Sequence, residues 1–324
     1  MNILILSEEQ DMSTCHVYDW LYVLSDKKII RVNLEDDVRI AAYTFNNYEL
    51  IINAHINLNS NNIHSFWYRR GAFISKNKNY IYDENLNDII TNVQKNIDRE
   101  NNSIFYNIYA KLVKNNKSVG DFFTADVNKI HILELATKCN LNVPNTIITT
   151  KKEELVLFFN SNSDLRIVTK PIASKLQIRN RHFGVYFYTE IVERADIDKL
   201  SDTFEISLFQ TEIKKKYELR IFYLKGEFYT MAIFSQLDQQ TKIDFRKYND
   251  QNPNRNVPFN LPNDIKNKLK NLMNDCKLDT GSIDMVVDEN NDYYFLEVNP
   301  VGQFGMVSYP CNYNLEKKIA EKLI

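Results

Sequence analysis

Two runs near the C-terminal end, GSIDMVVD at 281–288 and YYFLEVN at 293–299, constrain this chain more than any other feature. Both read as β-strands, and together they form a hairpin. Alternation along a strand puts Ser282, Asp284, Val286 and Asp288 on one face. By the same rule Tyr293, Phe295, Glu297 and Asn299 share a face, with Tyr294, Leu296 and Val298 opposite. Asp284, Glu297 and Asn299 then converge near one end, directly before a glycine-containing turn at 301–305. Two carboxylates and an amide oxygen make a hard, all-oxygen donor set suited to Mg²⁺. A hairpin whose solvent face happens to be acidic gives the same pattern.

Around this hairpin the chain reads as a mixture of α/β and α+β segments. Strands at 2–6, 28–32, 49–52 and 65–68, with a helix at 17–24, suggest a small α/β layer at the start. A long polar stretch with spaced apolar residues, 84–113, reads as a helix that clamps this layer to the rest of the chain. A helix capped by Asp126 carries Ile132, Leu135, Ala136 and Cys139 at helical spacing. Then come strands at 145–149 and 166–170 around a helix at 152–159, and strands at 183–189, 206–213, 217–224 and 227–234. Ile265, Leu269, Leu272, Met273 and Cys276 mark one further amphipathic helix, and Leu315, Ile319 and Leu323 another. At roughly 100–200 residues per domain the length suits two or three domains. The expected divisions are 1–118, 119–205 and 206–324.

Composition excludes several classes. With 40 basic and 42 acidic residues the net charge is −2, so no bulk attraction to nucleic acid or to an anionic membrane is expected. Cys15, Cys139, Cys276 and Cys311 have no metal-binding spacing and read as reduced, buried small hydrophobes. The opening MNILILSEEQDM lacks a basic region before its apolar run and reads as a strand rather than a signal peptide. No stretch approaches about 18 apolar residues, so no membrane span is expected and a cytoplasmic location follows. No Ser/His/Asp or Cys/His arrangement suggests a covalent nucleophile.

The D…ExNP pattern of Asp284, Glu297, Asn299 and Pro300 resembles the metal-binding end of the ATP-grasp fold. That resemblance implies ATP as cosubstrate and two Mg²⁺ ions, held by Asp284, Glu297 and Asn299, bridging the nucleotide phosphates. It also implies a phosphate-binding lysine near the first helix of the central domain and another ending a strand; Lys129 and Lys170 stand at those places. The segment Gln210, Thr211, Glu212 and Ile213 is similar to the hinge that reads adenine, and Glu218 to the residue that takes the ribose hydroxyls. Glu218 and Arg220 share one strand face, opposite Tyr217, Leu219 and Ile221. Arg220 and Arg246 match the arginines that offset charge during phosphoryl transfer. One element departs from the pattern. The glycine-rich lid is replaced by ASKLQIRNRHFG, with Lys175, Arg179, Arg181 and His182 and only Gly184.

Six further pieces in order, DMSTCHVYDWL, FWYRRG, FSQLDQQTKIDFRKYN, PNRNVPFNLP, LDTGSIDMVV and LEVNPVGQFGMVSYPCNY, extend the likeness over nearly the whole chain. They resemble the microviridin-ligase-like peptide maturases, the graspetide synthetases, and among them the grasp-with-spasm branch. An N-terminal α/β domain preceding the ATP-grasp core is implied. So is a ribosomally made precursor peptide, with a leader and an acidic core, as substrate. Its Asp or Glu side chains are phosphorylated by ATP and then attacked by Ser, Thr or Lys to close ω-ester or ω-amide rings. Arg69, Arg70, Arg179 and Arg181 are then candidate peptide contacts, although Arg69 and Arg70 equally suit salt bridges between domains. Lys214, Lys215 and Lys216 read as a solvated turn. A homodimer is expected from the family alone. A RimK-like or glutathione-synthetase-like ligase acting on free amino acids shares the same machinery, and a nucleotide-binding regulatory module would share the fold without turnover.

Overall fold

Strand Asn2–Ser7 is apolar on both faces because both faces are covered. The computed structural model describes residues 1–76, 86–162, 165–173, 177–179, 184–186, 189–235 and 254–324, with 177–179 and 184–186 described as backbone only. In it, Asn2–Ser7 lies inside a four-stranded parallel sheet, between Lys28–Asn33 and Ile63–Tyr68, with Lys117–Val119 beyond. Parallel strands need crossovers that cover the sheet, so their sequences read as continuous apolar runs. Helix Met12–Leu24 makes the first crossover, capped by Asp11, whose side chain accepts from the Ser13 amide.

Leu4 and Leu6 point into a core shared with the helix Asn87–Asn115, through Phe105, Ile108, Tyr109 and Leu112. A three-stranded antiparallel meander, Val38–Tyr43, Tyr48–Ile52 and Ile56–Asn59, closes the same core. The long helix therefore packs within the N-terminal layer; the clamp expected of it is made elsewhere.

Ile3 and Ile5 point the other way. With Val17, Leu21 and Trp67 they join Phe222, Leu224, Met231 and Ile233 of a five-stranded antiparallel sheet. That sheet runs Arg255–Phe259, Glu227–Phe234, Lys215–Leu224, Thr280–Asp288, Tyr293–Asn299 in spatial order. Helices Gly305–Ser308 and Leu315–Leu323 fill the same interface with Val307, Leu315, Ile319 and Leu323. The opposite face carries Leu219, Ile221, Ile283, Met285 and Phe295 against helices Lys129–Lys138 and Asn263–Asp275. Asn128 caps the first of these by accepting from the Ile130 and His131 amides, in place of the Asp126 cap expected. Arg255–Phe259, not anticipated, contains Pro258, which an edge strand tolerates.

A separate four-stranded antiparallel sheet, in the order Glu190–Val192, Ile167–Lys170, Thr203–Thr211, Thr146–Lys151, sits between these units in the chain. Ile167 and Phe209 face a small core with Leu155 and Ile197 of the helices Lys152–Ser161 and Arg194–Asp198. Register then puts Lys170, Leu208 and Gln210 on the face away from those helices. The expected strand at 183–189 is observed as Gly184–Tyr186, paired with Gln177–Arg179, and is followed by Glu190–Val192. Among the described residues no helix is long and apolar enough to cross a membrane.

Candidate active site

The face of the large sheet that carries Phe222 and Leu224 continues, along the same strand, to Arg220 and Glu218. Register sets Arg220 beside Asp284 and Asp284 beside Glu297 across three adjacent strands, with Ser282 beside Asn299. The convergence expected of Asp284, Glu297 and Asn299 is thus a matter of strand pairing. It is reached by a route that simple alternation does not give.

Two β-bulges redirect the side chains. Met285 pairs with Phe295 but Asp284 pairs with Glu297, so Leu296 is an extra residue in its strand. Tyr293, Phe295 and Val298 consequently face the core with Met285, and Glu297 faces the other way. The expected alignment of Tyr293, Phe295 and Glu297 on one face is therefore corrected. In the neighbouring strand Lys215 pairs with Asp288 and Tyr217 with Val287, which makes Lys216 the extra residue. Tyr217 stays with the core while Lys215 crosses to the side of Glu218. A bulge re-aims side chains in this way wherever one extra residue breaks the period of two.

Each of the three carboxylates so collected meets a cation. Arg220 Nη1 donates to Asp284 Oδ1. Lys129, the first residue of its helix, places Nζ 3.4 Å from Glu297 Oε2. Lys215 Nζ lies 2.5 Å from Glu218 Oε1, which also accepts from Ser235 Oγ at 2.8 Å. Burial pushes the Glu218 carboxyl above its usual range, while Lys215 and Ser235 pull it back and Asp284 adds to the rise. Lys215 is the residue that reading the sequence missed. Its place in a lysine run suggested a solvated turn, and only the bulge brings it inside.

Asn299 closes the row. Its Oδ1 accepts from the Val301 amide at 3.2 Å, and because the side chain is exposed the oxygen keeps a second lone pair for another partner. Gly302 then packs so closely on Ser282 that a β-carbon would stand 2.5 Å from Ser282 Cβ; only glycine fits. Among the described residues no group of three His, Cys, Asp or Glu is poised to hold a metal, so a cation here would rest on two carboxylates and one amide. That donor set suits Mg²⁺, which keeps several water or phosphate oxygens as ligands. The cations already against Asp284 and Glu297 mark where positive charge is favourable.

The other expected site residues fall into three groups. Lys170 ends its strand opposite Leu208, beside Gln210, whose Nε2 donates to Thr146 Oγ1 at 2.9 Å. Thr211 is held by Asn145, and Glu212 forms a two-pronged ion pair with Arg166, at 2.6 and 2.8 Å. Residues 212–214, Ile213 among them, link the central sheet to the large one without strand pairing of their own. Arg70 pairs with Glu8 at 2.6 Å and is part-exposed. Arg69 is different: it is 3% exposed, and its guanidinium faces Asp11 and the carbonyls of Val301 and Gly302. Arg246, Arg181, Lys175, His182 and the Arg179 side chain lie outside the described residues.

No protein-family model matches the chain, and no curated protein matches it significantly. Solved structures do. A Chryseobacterium gregarium RiPP-associated ATP-grasp ligase, in complex with ADP and a leader and core peptide, matches with a TM-score of 0.79 and 22% identity over 99% of this chain and 95% of that one. The macrocyclase MdnC of Microcystis aeruginosa, bound with precursor peptide MdnA, matches with a TM-score of 0.76 and 25% identity over 100% and 99%. The ATP-grasp ligase PsnB, complexed with a minimal precursor, Mg and ADP, gives 0.71 and 13% over 99% and 96%. The fold, over at least 99% of this chain, is that of an ATP-grasp ligase. The solved structures it is similar to are thus RiPP-associated ATP-grasp ligases and a macrocyclase bound with its precursor peptide.

Proposed function

We propose that this chain is an ATP-dependent carboxylate ligase that cyclises a ribosomally made precursor peptide. The γ-phosphoryl group of ATP passes to an Asp or Glu side chain of the peptide, giving an acyl phosphate and ADP. A Ser or Thr hydroxyl, or a Lys amine, of the same peptide attacks that carbonyl and expels phosphate. An ω-ester or ω-amide closes the ring. Holding both groups in one bound peptide makes the second step intramolecular, which favours it strongly.

The observation that carries this reading is the row of matched charges on one sheet face, inside an ATP-grasp fold. Arg220 with Asp284 and Lys129 with Glu297 are pairs ready for exchange. Lys129 and Arg220 would turn to the nucleotide phosphates, and Asp284, Glu297 and Asn299 would hold two Mg²⁺ ions. Bound there, Mg²⁺ supplies Lewis-acid stabilisation of phosphate charge. Lys170 adds a further phosphate contact, residues 210–213 face the adenine, and Glu218 accepts from the ribose. Arg220 and Arg246 offset charge during transfer. The peptide's leader and acidic core are taken up in part by Arg70, Arg179 and Arg181. The working unit is a cytoplasmic homodimer, each chain divided into an N-terminal domain of residues 1–118 and two ATP-grasp subdomains, 119–205 and 206–324.

Hydroxylamine trapping tests the activation step. With ATP, Mg²⁺ and an acidic peptide, a hydroxamate on an Asp or Glu side chain is expected. ADP release with no trapped hydroxamate and no modified peptide would contradict it.

A further inference from the structure

The turn that follows Asn299 is held by the N-terminal layer, chiefly by the buried Arg69, with Arg70 Nη2 adding a longer contact of 3.4 Å to Val301 O. Arg69 stands just after strand Ile63–Tyr68, at the C-terminal end of the parallel sheet. Its Nη1 donates to Val301 O at 2.6 Å and to Gly302 O at 3.1 Å. Its Nε lies 2.8 Å from Asp11 Oδ2, and its guanidinium sits over the Phe304 ring, 5.5 Å from the centroid. Both charges of the pair are withdrawn from solvent. Two contacts support the same turn from other sides. Ser13 Oγ donates to Gln303 Oε1 at 3.0 Å, and Ser282 Oγ to Gln303 O at 3.2 Å.

These contacts act on Asn299 through the backbone. The Val301 amide that donates to Asn299 Oδ1 belongs to the residue whose carbonyl Arg69 grips, and the Gly302 amide donates to Asn299 O at 3.1 Å. A buried ion pair is weak evidence for stability, because apolar groups of the same volume do as well or better; its better-attested use is to specify geometry. Burial pushes the Arg69 guanidinium down to about 10, with Asp11 opposing, so it stays charged near neutral pH.

We infer that Arg69, anchored by Asp11, is a positioning residue that aims the amide oxygen of Asn299 at the metal. The inference rests on the proposed function, which supplies the metal. It removes Arg69 from the peptide-contacting set and makes the N-terminal layer a component of the frame of the phosphoryl-transfer site. Residues that orient a metal ligand are worth about 10- to 100-fold in metal affinity.

The test is a titration of Mn²⁺ into the full chain with ADP bound, read by electron paramagnetic resonance. Arg69→Lys, which keeps the charge but loses the fork, is expected to weaken Mn²⁺ binding at least about 10-fold. ADP affinity measured without metal should stay within about twofold, as should the helical circular dichroism signal. Where Arg69 variants do not fold, Asp11→Asn serves instead: asparagine still caps the helix, while the anchor of the guanidinium is lost. Weaker Mn²⁺ binding is again expected. Unchanged Mn²⁺ affinity in a folded Arg69→Lys or Asp11→Asn variant overturns the positioning role. If the wild-type chain with ADP holds no Mn²⁺ beyond that of ADP alone, the proposed metal site itself fails and the inference falls with it.

Discussion

Phe295 and Glu297 lie two positions apart on one strand, yet Phe295 is fully buried against the helices while Glu297 lies on the opposite face of the sheet beside Asp284. Leu296, the extra residue of the bulge, makes this possible. Without it, either the aromatic ring leaves the core or the carboxylate enters it. Deleting Leu296 should therefore cost at least as much as Phe295→Ala, about 3–5 kcal/mol by the usual cost of removing a buried aromatic side chain. Urea unfolding of the two variants checks this; a stable deletion variant would remove the bulge from the account.

Arg220 and Asp284 show the exchange logic most directly, since one guanidinium holds the carboxylate that a metal would claim. Arg220→Ala should lower ADP release by at least about 100-fold, the size of a lost charge-stabilising donor. The variant should retain its circular dichroism spectrum, because neighbouring Leu219 and Ile221 keep the strand in the core.

Lys129 and Glu297 separate stability from activity. Both side chains are about 30% exposed and 3.4 Å apart, and such pairs contribute only about 0–1 kcal/mol. Glu297→Gln should leave the melting temperature close to wild type and abolish turnover. A large loss of stability, or retained turnover, would show that Glu297 serves the fold instead.

Glu218 sets a pH dependence with a definite sign. Its folded-state carboxyl titrates above the ordinary value of 4.5, chiefly through burial. Folding therefore favours its protonated form: the stability this group contributes is present below about 4.5 and is lost as pH rises through the raised value. Glu218→Gln removes that loss. The melting temperature of the variant, relative to wild type, should climb with pH across this window; a difference independent of pH contradicts the assignment.

Much of this site was legible because its chemistry sits on strands. Alternation correctly opposes Glu218 and Arg220 to Tyr217, Leu219 and Ile221, since that stretch pairs without interruption. It misplaces Phe295 relative to Glu297, and Lys215 relative to Glu218, because a bulge is a property of two strands together and leaves no mark in either alone. Strand Val38–Tyr43 escaped for a similar reason. Its residues VRIAAY are mostly apolar, but only Val38 is fully buried, with Ile40 and Tyr43 part-buried against the same core, and its place in the sheet depends on pairing with Tyr48–Ile52. Arg69 and Arg70 are chemically equivalent neighbours in the sequence. Both reach Val301 O, more than 200 positions away; the buried Asp11 and the Gly302 carbonyl fall to Arg69 and the part-exposed Glu8 to Arg70, a division only the folded chain makes.

The central claim is that carboxylate activation ends in a ring within one peptide. Mass spectrometry of an acidic, Ser/Thr/Lys-containing precursor after incubation with the chain, ATP and Mg²⁺ measures this directly. The expected result is loss of one water mass for each linkage, absent with Glu297→Gln. Gain of an amino-acid mass, or an unmodified peptide despite ADP release, would contradict it.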